Sequence, residues 1–144
     1  MELQIKKLSS DIATPFYASE GAAGMDLSAN LQGVIEVQPG KRVAIPTGLA
    51  MAIPEGYVGL IFPRSSVGLK LGIGMPNSVG VIDSDYRGEI LVAIVNNSDE
   101  VRVIEPKMRI AQLVVVPVPK MEIRVVDELG ETRRGSGGFG STGV

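Results

Sequence analysis

Glycine and proline interrupt this chain too often for it to fold as a bundle of helices. Glycine occupies 18 positions and proline 9, together 27 of 144, and they are spread along the whole length. Glycine is costly in a helix interior and proline breaks one. The longest stretch free of both runs from Glu89 to Glu105. Even there, Ile90–Val95 and Val101–Ile104 are rich in β-branched residues, and Asn96-Asn97-Ser98-Asp99 lies between them. Such a pattern predicts two strands around a polar turn, a hairpin.

Further strands are expected at Leu3–Leu8, Val34–Val37, Val43–Ile45, Leu49–Ile53, Val58–Phe62, Ile110–Val116 and Ile123–Val126. Pro39-Gly40 and Pro54-Glu55-Gly56 read as turns. A short helix fits Pro63–Leu71, although Gly68 and Gly72 weaken it. Short strands at this spacing predict an all-β fold, either a closed barrel or two packed sheets. A chain of 15.2 kDa exposes about 7,100 Å² when folded and about 22,000 Å² when unfolded, enough burial for one core without staples. One domain is therefore expected over residues 1–132, with a flexible glycine-rich tail over 133–144.

Composition excludes whole classes of chemistry. There is no histidine, cysteine or tryptophan. Thiol catalysis, Ser-His triads and ordinary zinc sites are excluded together. The formal net charge of −2 argues against a general nucleic-acid surface and so against direct nucleic-acid binding. No apolar leader follows Met1 and no run approaches 18 apolar residues, so the expectation is a soluble cytoplasmic protein without membrane contact.

Five segments carry side chains that ordinary strands and turns do not need. The tail, Arg134-Gly135-Ser136-Gly137-Gly138-Phe139-Gly140-Ser141-Thr142-Gly143, is half glycine, yet it holds one of three phenylalanines and follows Arg133. Glycine backbone N–H groups can wrap an anion, arginine adds a planar fork, and an aromatic ring can cover a base. Ordering about nine residues costs about 9–18 kcal/mol, and charge-assisted hydrogen bonds return about 1.5–3 kcal/mol each. The composition therefore suits a lid that ligand orders; an inert tail is the alternative.

Gly80-Val81-Ile82-Asp83-Ser84-Asp85-Tyr86-Arg87-Gly88-Glu89 places carboxylates, a tyrosine and an arginine between strand-like arms, either a charged turn or a water-holding loop. Pro63-Arg64-Ser65-Ser66-Val67-Gly68-Leu69-Lys70 could cap a helix or bind phosphate. Ala22-Ala23-Gly24-Met25-Asp26-Leu27 sets a lone acid in an apolar run, where a carboxylate needs partners. Arg109-Ile110-Ala111-Gln112-Leu113 puts two polar side chains inside a strand, for an outer face, a subunit contact or a ligand.

Taken in chain order, the five segments resemble the five motifs of the homotrimeric dUTPase family, the deoxyuridine triphosphate nucleotidohydrolases. They cover about a third of the chain. The resemblance implies a distorted jelly roll, a homotrimer with three active sites at subunit junctions, and Mg²⁺-dependent hydrolysis of dUTP to dUMP and pyrophosphate. Such an activity limits uracil in DNA and supplies dUMP for dTMP synthesis. By the same resemblance, Asp83 activates the attacking water and meets the deoxyribose 3′-hydroxyl, and Tyr86 packs under the sugar. The hairpin from Asn77 to Asp83, with its returning arm near Leu91, forms the uracil pocket, where Asn77 and the backbone of Gly80, Val81 and Ile82 read the base. Arg64, Ser65, Ser66 and Gln112 hold phosphates. Arg134 and the Gly138, Gly140 and Ser141 backbone clamp the distal phosphates, Phe139 stacks on uracil, and Asp26 reaches Mg²⁺ through its waters.

Ser66 departs from the glycine common in this family and approaches the Arg-Ser-Ser of the related dCTP deaminases. Those enzymes, including bifunctional ones, resemble one another in carrying a general-base glutamate where this sequence has Ala93. A non-catalytic dUTP-binding trimer is the other alternative, and the presence of Asp83, Tyr86 and Phe139 opposes it.

Overall fold

The computed structural model describes residues 1–138. Ten strands and one helix follow in order: β1 (Gln4–Lys7), β2 (Met25–Ser28), β3 (Ile35–Val37), β4 (Arg42–Ala52), β5 (Tyr57–Pro63), α1 (Ser65–Leu71), β6 (Ile73–Gly74), β7 (Gly80–Ile82), β8 (Glu89–Asn96), β9 (Arg102–Ile104) and β10 (Arg109–Pro117). They form two four-stranded sheets, β1-β4-β8-β6 and β2-β10-β5-β7, and a ribbon, β3-β9. Every ladder is antiparallel. The expected all-β double-sheet architecture is the one observed.

Period-2 patterning builds the core. Along β8, Ile90, Val92, Ile94 and Asn96 are buried, while Leu91 faces solvent. Leu27 of β2, Ile45, Leu49 and Met51 of β4, Ile61 of β5, and Ile110 and Leu113 of β10 complete the interior between the sheets. The helix forms despite Gly68. Val67 is its one buried side chain, and Gly72 ends it in the left-handed conformation (φ 65°) with its N–H on the Gly68 carbonyl. Burial of Val67 and this cap outweigh the glycine penalty.

Four expectations are corrected. Val43–Ile45 and Leu49–Ile53 belong to one strand, β4, with a register shift between Pro46 and Ala50. Met25–Ser28 is a strand that its short, mixed composition concealed; β10 recruits it by pairing Gln112 with Asp26. The expected hairpin of 90–95 with 101–104 does not form: β8 pairs with β4 and β6, and β9 pairs with β3. Ile123–Val126 has the composition of a strand but is irregular and exposed. A strand needs a partner, and the described residues offer it none.

Asn96 explains why the 96–100 turn separates the ribbon from the sheet. Its Nδ2 donates to the carbonyls of Val37 and Glu100 (both 2.8 Å), and its Oδ1 accepts from the N–H and hydroxyl of Ser98 (2.9 and 2.7 Å). The side chain is fully buried. Asn96→Ala removes all four bonds and strands buried partners. The expected loss is about 3 kcal/mol, given 1–3 kcal/mol for a buried group left unpaired. Urea unfolding at fixed protein concentration measures it.

Candidate functional site

The side chains singled out in the sequence gather in two clusters on the β2-β10-β5-β7 sheet and its connections. The first lies where β5 ends at Pro63. Antiparallel pairing sets Gln112 of β10 opposite both Phe62 of β5 and Asp26 of β2. Gln112 Nε2 donates to the Pro63 carbonyl (3.3 Å), which holds its amide beside the start of α1. A Cβ on Gly24 would lie 3.1 Å from Gln112 Oε1, so a side chain there would press on that amide. Arg64 leads into α1, and Ser65 and Ser66 stand exposed in its first turn.

Asp26 organises this cluster. Its Oδ1 lies 2.8 Å from Arg64 Nε, and its Oδ2 accepts from Arg109 Nη1 at 3.0 Å. The carboxylate is 12% exposed, so the pairs are better shielded than ordinary surface bridges. Engagement through Nε leaves the terminal nitrogens of Arg64 to face an incoming anion. Two guanidiniums around one carboxylate leave net positive charge. Arg109, whose role the sequence left between an outer face, a subunit contact and a ligand, thus joins Arg64 around Asp26.

The second cluster is the loop from β7 to β8. Gly80, Val81 and Ile82 form β7, paired to Ile61, Leu60 and Gly59 of β5. Asp83 follows and is exposed. The Tyr86 N–H donates to the Asp83 carbonyl (3.2 Å), closing a turn. Arg87 Nη1 donates to the carbonyls of Ser84 and Tyr86 (2.7 and 2.8 Å). The Tyr86 hydroxyl donates to the Glu89 carbonyl (3.0 Å). The Tyr86 ring lies over Gly88: a Cβ there would lie 2.7 Å from Tyr86 Cζ and would push the ring aside. Asp83 and Tyr86 therefore project from a self-tied loop. The arms around it are not a paired hairpin. β7 is an edge strand of one sheet and β8 belongs to the other. The first half of β8 is laddered only to β4. Val81 and Leu91 are exposed on these arms (61% and 51%). Asn77 is exposed at the approach to β7, followed by Ser78 in the left-handed region (φ 60°) with the Val79 N–H on the Asn77 carbonyl.

The two clusters do not meet within one copy. Ile82 pairs with Gly59, so Asp83 continues the register opposite Val58, and both line an open cavity of about 680 Å³ with Tyr57, Val81, Asp85 and Lys120. Arg64 and Gln112 stand at the other end of β5. Five residue steps from Val58 to Pro63 span about 17 Å.

For Mg²⁺, the donor set fits one arrangement and not another. Among the described residues, no three acidic side chains cluster to hold a metal. Asp26 spends two of a carboxylate's roughly four acceptor positions on arginines. It can accept from a metal-bound water, but it is not free to act as one wall of a metal cage. Mg²⁺ that arrives on phosphates and keeps its waters suits this site.

In the tail, Arg134 is exposed and its Nε donates to the Gly137 carbonyl (2.8 Å), while the Gly137 N–H donates to the Arg134 carbonyl (3.1 Å). Gly138 is exposed. Phe139, Gly140 and Ser141 lie outside the described residues.

The dUTPase family model matches residues 10–143. A deoxyuridine 5'-triphosphate nucleotidohydrolase of Hydrogenobaculum sp. is 50% identical over all 144 residues and 99% of its own length. That of Chlamydia pneumoniae is 53% identical over 139 residues, 96% of each chain. Among solved structures, a mutant dUTPase of Staphylococcus bacteriophage 80alpha with dUpNHpp superposes with a TM-score of 0.87 at 30% identity, over 99% of both chains. A phage phi11 dUTPase, solved for its coordination of a structural Mg(II) ion, gives 0.78 at 29% identity over 89% of this chain and 98% of its own. With matches this close running from end to end, the chain belongs to the dUTPase family.

Proposed function

We propose that this chain hydrolyses dUTP to dUMP and pyrophosphate, as a homotrimer whose sites draw Asp83 from one copy and Arg64 and Gln112 from another. The observation that carries the activity is the family match over residues 10–143, at half identity to nucleotidohydrolases along the full length. The phage enzyme with a bound dUTP analogue, alike in fold over 99% of this chain, supports the same substrate.

Asp83 acts as the base. Exposed on a constrained loop, it can hold a water for in-line attack on the α-phosphorus and accept its proton. Tyr86 lies against the sugar, where a 2′-hydroxyl would meet the ring. The unpaired edges of Gly80–Ile82 and the start of β8, with Val81, Leu91 and Asn77, suit a flat base that hydrogen-bonds to backbone. Arg64, Ser65, Ser66 and Gln112 receive the phosphates, and Arg109 adds charge beside them. Mg²⁺ bound to the triphosphate would neutralise developing charge, with Asp26 accepting from one of its waters. Residues 133–144, with Arg134, Gly138, Phe139, Gly140 and Ser141, close over the nucleotide as a lid. Catalysis is then positioning and electrostatics, which needs no histidine. A chain with this substrate works beside the deoxynucleotide pool, in the cytoplasm.

Two observations support the assembly. The clusters lie at opposite ends of β5, so one copy cannot present both to one phosphate chain. A single copy also exposes 10036 Å², well above the roughly 7,100 Å² expected for its mass. Apolar side chains contribute to it: Met121, Ile123 and Val125 are 76%, 90% and 94% exposed, in strand-like alternation. A segment with β composition and no partner in its own copy suits pairing on a neighbour.

Incubation with Mg²⁺ and, separately, dUTP, dCTP, dTTP and UTP tests the activity. Release of dUMP and pyrophosphate from dUTP alone is the expected result. Deamination of dCTP would overturn the reading, and so would binding of dUTP without turnover.

A further inference from the structure

Glu89 has no part in the chemistry above, yet it joins the catalytic loop to the rest of the fold by two independent bonds. Its carboxylate Oε1 accepts from the Gly48 N–H at 2.7 Å. Its carbonyl accepts from the Tyr86 hydroxyl at 3.0 Å. Gly48 sits in the irregular part of β4, where the register with β8 shifts between Pro46 and Ala50. Its φ of +69° turns its N–H out of the ladder, and a Cβ there would lie 2.7 Å from Asn30 Nδ2, so glycine is required. The shift leaves backbone groups on both strands without ladder partners, and side chains replace them. Thr47 Oγ1 donates to the Ile90 carbonyl (2.7 Å), and Glu89 serves the Gly48 N–H. Beside the Ala50–Glu89 pair, side chains thus stitch the first residues of β8 to β4, at the point where the Asp83–Gly88 loop rejoins the sheet.

We infer that Glu89 is a positioning residue for Tyr86, and through it for selection of deoxyribose over ribose; the selection part rests on the function proposed above. Tyr86 is 43% exposed and packs against the glycine backbone at Gly88, so little besides its hydroxyl bond fixes the ring angle. That bond lands on a carbonyl whose place is set by the pairing of Glu89 with Ala50 and by where the Glu89 side chain is anchored. A charge-assisted bond to a backbone N–H holds a strand start more firmly than a neutral one. With the anchor released, the carbonyl and the ring can shift together, and a ring that no longer crowds the 2′ position admits UTP. A misplacement near 1 Å at such a contact costs up to about a hundredfold.

The test compares Glu89→Ala, which removes the acceptor, with Glu89→Gln, which keeps Oε1. The full chain is labelled with fluorotyrosine. Three tyrosines give three ¹⁹F resonances, and Tyr86→Phe assigns one of them. In Glu89→Ala the Tyr86 resonance is expected to move and broaden, and the ratio of kcat/KM for dUTP over UTP to fall about tenfold. Glu89→Gln should return most of both. If Glu89→Ala lowers only the thermal midpoint, leaving the Tyr86 resonance and the substrate ratio native, the inference is overturned and the bond is structural only. If Glu89→Ala does not fold, Glu89→Asp, one methylene shorter, must show the same two changes or the inference falls. Should the unmodified chain fail to hydrolyse dUTP, the proposed function fails, while the ¹⁹F readout still decides whether Glu89 positions Tyr86.

Discussion

Asp83→Asn is expected to lower kcat for dUTP about a thousandfold, while dUTP binds with an affinity within a few-fold of the original. General-base groups contribute about 10²–10⁴ in rate, and a thousandfold corresponds to about 4 kcal/mol of transition-state stabilisation. Asparagine keeps the size of aspartate and can still hydrogen-bond a sugar hydroxyl, but it cannot take a proton from water. The loop should survive the change, because its own bonds do not use the carboxylate: the turn closes on the Asp83 carbonyl, and Arg87 and Tyr86 bond to backbone oxygens. Single-turnover rates and equilibrium binding of a non-hydrolysable analogue separate the two quantities. A kcat within tenfold of the original would remove Asp83 from the chemistry. An equal loss in binding and turnover would make it a substrate contact instead.

The β architecture was legible because the core-facing residues obey a strict period of two in β8, and because glycine and proline leave no room for long helices. What stayed hidden depended on partners far along the chain. Met25–Ser28 is too short and too mixed to declare itself; its strand exists because β10 supplies a ladder. The two halves of β4 looked separate because Pro46-Thr47-Gly48 reads as a break, and distant groups carry the strand across it: the side chains of Thr47 and Glu89, the Leu8 N–H on the Gly48 carbonyl and the Asn30 N–H on the Pro46 carbonyl. The 96–99 turn looked like a hairpin because local composition says nothing about which strand lies beside which. Asn96 decides that, by bonds to Val37 and Glu100 that no local pattern contains.

The site divides in the same way. The residue types were readable, since a glycine-flanked Asp83-Ser84-Asp85-Tyr86 loop and an Arg-Ser-Ser segment are unusual in structural turns. The ion pairs of Asp26 with Arg64 and Arg109 were not, because they join residues 38 and 83 positions apart. Asp26 pairs with arginine, which balances a lone acid in an apolar run without any metal. The sequence also could not reveal that Asp83 and Arg64 stand at opposite ends of one strand. Under the proposed function, that separation makes the assembly, and not the single chain, the unit of function.

A complementation experiment follows from this separation. Asp83→Asn and Arg64→Ala are each expected to be nearly inactive alone, the second because it removes the fork held beside the phosphates. Refolded together in equal amounts, they should recover about a quarter of the original activity. In a cyclic trimer every junction is equivalent. A junction works when the copy giving the loop has an intact Asp83 and the copy giving the phosphate cluster has an intact Arg64, and random mixing produces that combination at about one junction in four. The gain over either variant is then more than a hundredfold, with no new contact made. Recovery should vanish when the mixture is assembled from the double variant and either single one, because no junction then has both groups. If the mixture shows only the sum of the two residual activities, Asp83 and Arg64 serve the same copy. The 17 Å between them along β5 would then have to be closed by movement within one chain.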